Sequence, residues 1–197
     1  MDATPQPPIE KLKRLDRISL PRNTLVVLCG PAGCGKSTFA ARNFAPTQIV
    51  SSDECRARIT DDPSNQDVSG HAFDLMHYVI EKRLYLSRTT VADATHLDRA
   101  SRRPLVKAAR WFDFKAAALV FNLPLETCLA RNAARKRVVP EDAILRQYEM
   151  LQETLQTIRH ERFNYIFVLN EEEQERVEIE IGPPRWRASL RNTRTQS

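Results

Sequence analysis

No apolar stretch in this chain of 197 residues approaches the roughly 20 residues needed to cross a bilayer, so no membrane partner is expected. The N-terminus, Met1-Asp2-Ala3-Thr4-Pro5-Gln6-Pro7-Pro8, lacks the apolar core of a secretion signal. Four cysteines (Cys29, Cys34, Cys55, Cys128) include no C-x-x-C pair, which argues against a disulfide framework and against a zinc site. Cytoplasm is the expected compartment. There is no internal repeat, and glycine is scarce: of five in the chain, three lie between positions 30 and 35. The remaining composition, 42% hydrophobic and 28% charged, is that of an ordinary globular protein. The length suits one well-buried domain and is short for two.

Charge is unevenly spread. The formal net charge is +5, but the stretch from Arg185 to Arg194 holds four arginines and no acid, which leaves the remainder near +1. A basic body that binds nucleic acid is therefore not implied by the total charge, and the tail reads as a solvated end. Three regions are expected: a proline-rich basic lead-in over 1–22 with a short helix at Ile9–Asp16, an ordered domain over 23–182, and a basic tail over 183–197.

The three clustered glycines belong to Gly30-Pro31-Ala32-Gly33-Cys34-Gly35-Lys36-Ser37, a complete G-x-x-x-x-G-K-S phosphate-binding loop. It follows the apolar run Leu25-Val26-Val27-Leu28 and leads into Thr38-Phe39-Ala40. A strand that delivers such a loop and a helix that leaves it aim backbone N–H groups at a polyphosphate. Gly30, Gly33, Cys34, Gly35, Lys36, Ser37 and Thr38 are the expected nucleotide-binding residues. Lys36 would reach the β- and γ-phosphates, and the Ser37 hydroxyl would ligate Mg²⁺. A triphosphate, ATP or another nucleoside triphosphate, is the implied ligand.

Short apolar runs bounded by polar residues predict strands at Leu25–Cys29, Gln48–Ser51, Thr89–Asp93, Ala117–Asn122 and Tyr165–Leu169. Helical patterns lie between them. They are Lys36–Asn43, Asp53–Ile59, Gly70–Leu86 with Phe73, His77, Ile80 and Leu84 on one stripe, and a segment within Asp98–Phe112. Pro124 and Pro140 read as first residues of two more helices, and Glu171-Glu172-Glu173 as the exposed start of a last one. Strands alternating with helices predict an α/β fold: a doubly wound, mainly parallel five-stranded sheet with helices on both faces and ligands at the C-terminal strand ends.

The neighbouring strand ends carry further polar groups. Asp53 and Arg56, three residues apart, share a helix face after the second strand. Asp53 could accept the proton of an attacking hydroxyl, or simply cap a helix. Arg56 could hold an anionic acceptor by a forked pair of hydrogen bonds. Asp93, ending the third strand, could hold Mg²⁺ through water, buttress Arg56 or bond the acceptor. His96 reads as loop surface and Asp98 as a helix cap. Arg131 and Arg135, with Lys136 and Arg137, make a basic helix end suited to a lid whose arginines neutralise charge on a transferred phosphoryl group.

Taken together, six motifs resemble the polynucleotide 5′-kinase family, as found in bacterial RNA-repair enzymes and phage relatives. They are Gly30–Ala40, Ser51-Ser52-Asp53-Glu54-Cys55-Arg56, Gly70-His71-Ala72-Phe73-Asp74, Val91-Ala92-Asp93-Ala94-Thr95, Phe121-Asn122-Leu123-Pro124 and Arg131-Asn132-Ala133-Ala134-Arg135, covering roughly residues 24–170. The resemblance implies a P-loop fold, ATP and Mg²⁺, and transfer of the γ-phosphate to a 5′-hydroxyl end of RNA or DNA. It implies Asp53 as general base and Arg56 against the phosphate 3′ of the acceptor nucleoside. Asp93 would orient Arg56 or the acceptor, and Arg131 and Arg135 would act with Lys36 at the phosphates. His96 departs from the asparagine of relatives. Such kinases are often fused to or associated with other end-healing enzymes, but no D-x-D-x-T/V phosphatase or K-x-D-G ligase motif occurs here. Two other readings stay open at this level: a kinase of a nucleoside, sugar or antibiotic, and an ATP-gated nucleic-acid-binding module that transfers nothing.

Overall fold

Strand β2 (Thr24–Cys29) is buried at every position, because helices cover both faces of the sheet in which it lies. The computed structural model describes residues 16–183. Five parallel strands form that central sheet: β2, β3 (Ile49–Ser51), β4 (Thr90–Asp93), β5 (Lys115–Phe121) and β6 (Tyr165–Leu169), in the spatial order β3-β4-β2-β5-β6. The five expected strands match these to within two residues at each end.

Alternation along the central strands divides the core in two. Leu25, Val27 and Cys29 of β2 and Ala116, Ala118 and Val120 of β5 face one side. There they meet α3 (Ser69–Tyr85), α4 (Arg99–Trp111) and Leu151 of α6 (Glu141–Thr157). Val26 and Leu28, with Ala117, Leu119 and Phe121, face the other side against α1 (Lys36–Asn43) and Cys128 of α5 (Leu125–Ala133). Pro124 and Pro140 stand one position before α5 and α6, each followed by acids in the first turn. Asp98 caps α4, accepting from the Ser101 N–H at 2.7 Å, and Pro104 falls on that helix's exposed face.

Three sequence expectations need correction. The buried stripe of α3 is Ala72, Met76, Ile80 and Leu84, each four residues on from the last; Phe73 and His77 sit at its half-buried margin. The stretch read as a lead-in contains strand β1 (Arg17–Pro21), which pairs in parallel with β7 (Glu178–Gly182) as a separate two-stranded sheet. Ile18 and Leu20 bury against the second core, so five residues of alternating character suffice once a partner strand exists. His96 is not on the surface: it is 1% exposed, and its Nδ1 lies 3.0 Å from the Leu28 carbonyl oxygen. A positive φ of 41° turns it inward. The expected helix over 9–16 lies almost wholly outside the described residues, as does the tail from 184.

Candidate functional site

Strands β2, β3 and β4 end side by side, and their ends carry the polar residues singled out above. Ser51 is level with Asp93 across the β3–β4 pair. The Gly30 N–H donates to the Thr95 carbonyl at 2.9 Å, joining the phosphate loop to the turn after Asp93. Two loop glycines are required by geometry. Gly33 and Gly35 adopt φ of 81° and 86°, and a Cβ on Gly33 would stand 2.1 Å from the Cys128 carbonyl oxygen. Gly35 is the residue from which α1 departs, so the loop runs straight into a helix N-terminus, whose unpaired N–H groups suit an anion.

Lys36 is 8% exposed and spans the loop it follows. Its Nζ donates to the carbonyls of Gly30 and Pro31, both at 2.8 Å. Ser37, one residue on, lines the same cleft as Asp93. Burial pushes the Asp93 carboxyl above the usual carboxylate range, against the pull of Lys36 and Ser37. The Ser37 hydroxyl at the start of α1 and the Asp93 carboxylate at the end of β4 are hard oxygen donors, the kind Mg²⁺ takes.

Asp53 does not cap its helix. Ser51 caps α2 (Ser52–Thr60) by accepting from the Asp53 N–H at 3.2 Å, which leaves the Asp53 carboxylate free for other partners. Arg56 pairs with that carboxylate and not with Asp93. Of the roles left open for Asp93, the Arg56 contact is not made, because one helical turn already brings Asp53 and Arg56 together. Arg137 reaches the second Asp53 oxygen at 3.3 Å.

The basic segment after α5 is anchored at its base. Asn132, 4% exposed, donates to the Val139 carbonyl at 2.9 Å and accepts from the Val139 N–H at 3.0 Å. Residues 134–138 form the loop so enclosed. Arg131 donates to Gln174 at 2.8 Å and pairs with Glu171 and Glu175 of α7 (Glu171–Arg176), each at 3.1 Å. Gln174, 5% exposed, also donates to the Gly35 carbonyl at 3.2 Å, so it links Arg131 to the phosphate loop.

A cleft of about 1090 Å³ gathers Gly33, Gly35, Lys36, Ser37, Thr38, Asp53, Arg56, Asp93, Arg131 and Arg135 into one lining. Gly30 and Cys34 stand behind it; Cys34 is fully buried under the loop. Arg137 was read only as one of the lid's cations, and two lining residues with contacts to the phosphate loop were not read from sequence at all: Gln147, which accepts from the Ala32 N–H at 2.7 Å, and Gln174. Arg137 carried a signal, being part of the cation run. The two glutamines carried none, since their partners lie 115 and 139 residues away.

A family model described as "AAA domain" matches residues 25–165. No curated protein matches the sequence. Solved structures do. A chain of the Pnkp1/Rnl/Hen1 RNA repair complex is 23% identical with a TM-score of 0.58, over 68% of this chain and 45% of that one. This chain thus spans less than half the length of that relative. A protein of Chloroflexus aurantiacus j-10-fl named as a kinase is 12% identical with a TM-score of 0.52, over 81% and 91% of the two chains. A gluconokinase from Sinorhizobium meliloti 1021 is 17% identical with a TM-score of 0.48, over 77% and 84%. The first two likenesses establish a shared fold, the five-stranded parallel sheet flanked by helices of P-loop kinase structures.

Proposed function

Given that this chain belongs to the AAA domain family, we propose that it is an ATP- and Mg²⁺-dependent polynucleotide 5′-hydroxyl kinase. It transfers the γ-phosphate of ATP to the 5′-OH end of RNA or DNA. One observation carries the reading: Lys36 and Ser37 of the phosphate loop line the same cleft as the Asp53–Arg56 pair. A donor half alone would suit any triphosphate-binding protein. A carboxylate beside a buried guanidinium adds what a hydroxyl acceptor with a neighbouring phosphate needs.

The roles follow from the contacts. The N–H groups after Gly33 and Gly35 and the start of α1 cradle phosphates, with Thr38 behind them. Lys36 moves little to trade carbonyl partners for phosphate oxygens, since it already lies along the loop. Asp53 accepts the proton of the attacking 5′-hydroxyl. Arg131 in the last turn of α5 and Arg135 in the loop after it offset charge on the phosphoryl group in transfer. Ser37 and Asp93 are the residues that would hold Mg²⁺, and their oxygen donors suit it. The ion, when bound, neutralises charge on the phosphate oxygens. Association with further end-healing enzymes belongs to this proposal, in keeping with the fold shared with a chain of an RNA repair complex.

The test is transfer of label from γ-labelled ATP to a panel of 5′-OH RNA, 5′-OH DNA, nucleoside 3′-monophosphates and nucleosides. The proposal expects label on the polynucleotides and the 3′-monophosphates, and little on free nucleosides. Preferred labelling of nucleosides or sugars would assign a small-molecule kinase instead. ATP consumption stimulated by polynucleotide without labelled acceptor would assign an ATP-gated module.

A further inference from the structure

Both carboxylate oxygens of Asp53 are taken by arginines from separate elements. Arg56 of α2 donates through Nη1 to Oδ1, and Arg137 of the 134–138 loop donates through Nη1 to Oδ2 at 3.3 Å. The same two Nη1 atoms also meet at the Pro63 carbonyl oxygen, 3.5 Å from Arg56 and 2.9 Å from Arg137. Two guanidinium groups therefore converge on one carboxylate and one carbonyl, which leaves an excess positive charge in the cleft. Arg56 is 6% exposed and lines the cleft, yet its Nε finds no acceptor among the described residues. A buried, charged N–H without an acceptor is costly and marks a place for an anion.

Resting on the kinase reading above, we infer that Arg137 is a second anion-binding residue of the acceptor site, and that an acceptor phosphate displaces Asp53 from both arginines. Asp53 thereby changes from the arginines' counter-ion into a free base at the moment a phosphate-bearing acceptor arrives. The exchange is feasible because the Asp53 side chain is about half exposed (49%), so its carboxylate keeps solvent when it leaves the arginines. A phosphodiester brings two non-bridging oxygens to the same two forks, and a 3′-monophosphate brings a third oxygen and more charge. In the step that follows, the acceptor hydroxyl oxygen bonds to the γ-phosphorus and its proton passes to Asp53. The bond from the γ-phosphorus to the bridging oxygen breaks, and ADP leaves with that electron pair. A neutral acceptor leaves Asp53 tied to two cations, a poor proton acceptor. Selection for a phosphate next to the hydroxyl then acts on kcat as well as on KM.

The experiment compares wild type, Asp53→Asn and Arg137→Ala with two probes, adenosine 3′-monophosphate and adenosine. Equilibrium binding is measured by calorimetry on the ADP-saturated protein, and label transfer from γ-labelled ATP is followed in parallel. Asp53→Asn removes the competing charge, so it should bind the monophosphate several-fold more tightly than wild type, bind adenosine unchanged, and transfer nothing. Arg137→Ala should weaken monophosphate binding about ten-fold, the loss of one charge-assisted bond, and leave adenosine binding unchanged. It should also raise kcat with adenosine, because Asp53 has lost one of its two holders. Unchanged or weaker monophosphate binding by Asp53→Asn would overturn the inference, as would equal losses on both probes in Arg137→Ala. If wild type labels neither acceptor while binding shifts as stated, the anion exchange stands and the kinase reading falls. If wild type labels the monophosphate but Asp53→Asn binds it no better, the kinase stands and the exchange falls.

Discussion

Replacing Glu161 by alanine strips the partner from the most deeply buried ion pair among the described residues. Arg102 is 1% exposed and directs four hydrogen bonds: two to the Glu161 carboxylate at 2.8 and 2.5 Å, one to the His96 carbonyl at 2.7 Å and one to the Thr154 hydroxyl at 3.2 Å. The Glu161 side chain is 5% exposed. Desolvation makes the intact pair a weak source of net stability, but breaking one side leaves a guanidinium buried without a counter-charge, at about 3–5 kcal/mol. For a domain of this size each kcal/mol moves Tm by roughly 2–4 °C, so the midpoint should fall by about 6–20 °C. The consequence reaches the site, because Arg102 holds the carbonyl of His96 in the turn between Asp93 and α4. Thermal and urea unfolding of wild type, Glu161→Ala, Arg102→Met and the Arg102→Met/Glu161→Met double variant would measure this. The double variant should recover much of either single loss, since methionines fill the space without a stranded charge. A Glu161→Ala cost below about 1 kcal/mol, or singles that simply add, would refute the reasoning.

Two more predictions follow from the same contacts. Burial pulls the His96 pKa from 6.5 down to about 4, so the folded protein keeps this ring neutral while the unfolded chain charges it. Stability from His96 is therefore full above about pH 6.5 and lost as pH falls toward 4. At pH 4.5 the loss is about 2.5 kcal/mol relative to pH 7. Urea unfolding should show that much less pH dependence in His96→Asn, a residue that tolerates the positive φ; an unchanged slope would contradict the assignment. In Gly33→Ala, left-handed backbone costs an L-residue about 1–2 kcal/mol, and a methyl group 2.1 Å from the Cys128 carbonyl must push α5 away. ATP binding should weaken at least about ten-fold by titration calorimetry, and wild-type affinity would show that the loop does not need this glycine.

Much of the fold could be read from residue order alone because each central strand is an apolar run a few residues long. Such runs have few uses other than a sheet covered on both faces. The donor half of the site was legible for a related reason: its chemistry sits in eight consecutive residues. Strands β1 and β7 were not legible, since Arg17–Pro21 and Glu178–Gly182 alternate apolar with polar residues and become strands only through each other. His96 was missed because its burial depends on a carbonyl 68 residues earlier and on a positive φ. The residues of the proposed acceptor side divided along the same line. Asp53 and Arg56 are one helical turn apart and could be paired on paper. Arg137, 84 residues from Asp53, joins them only in the folded chain.

The most direct test of the central claim is label transfer from γ-labelled ATP to a 5′-OH oligonucleotide by wild type and Asp53→Ala, with ATP affinity measured on both. Wild type should label the 5′ end, and Asp53→Ala should bind ATP nearly as well but lose transfer by a factor on the order of 100 or more. Transfer retained by Asp53→Ala would remove Asp53 from the chemistry, and no labelling by wild type would contradict the kinase reading itself.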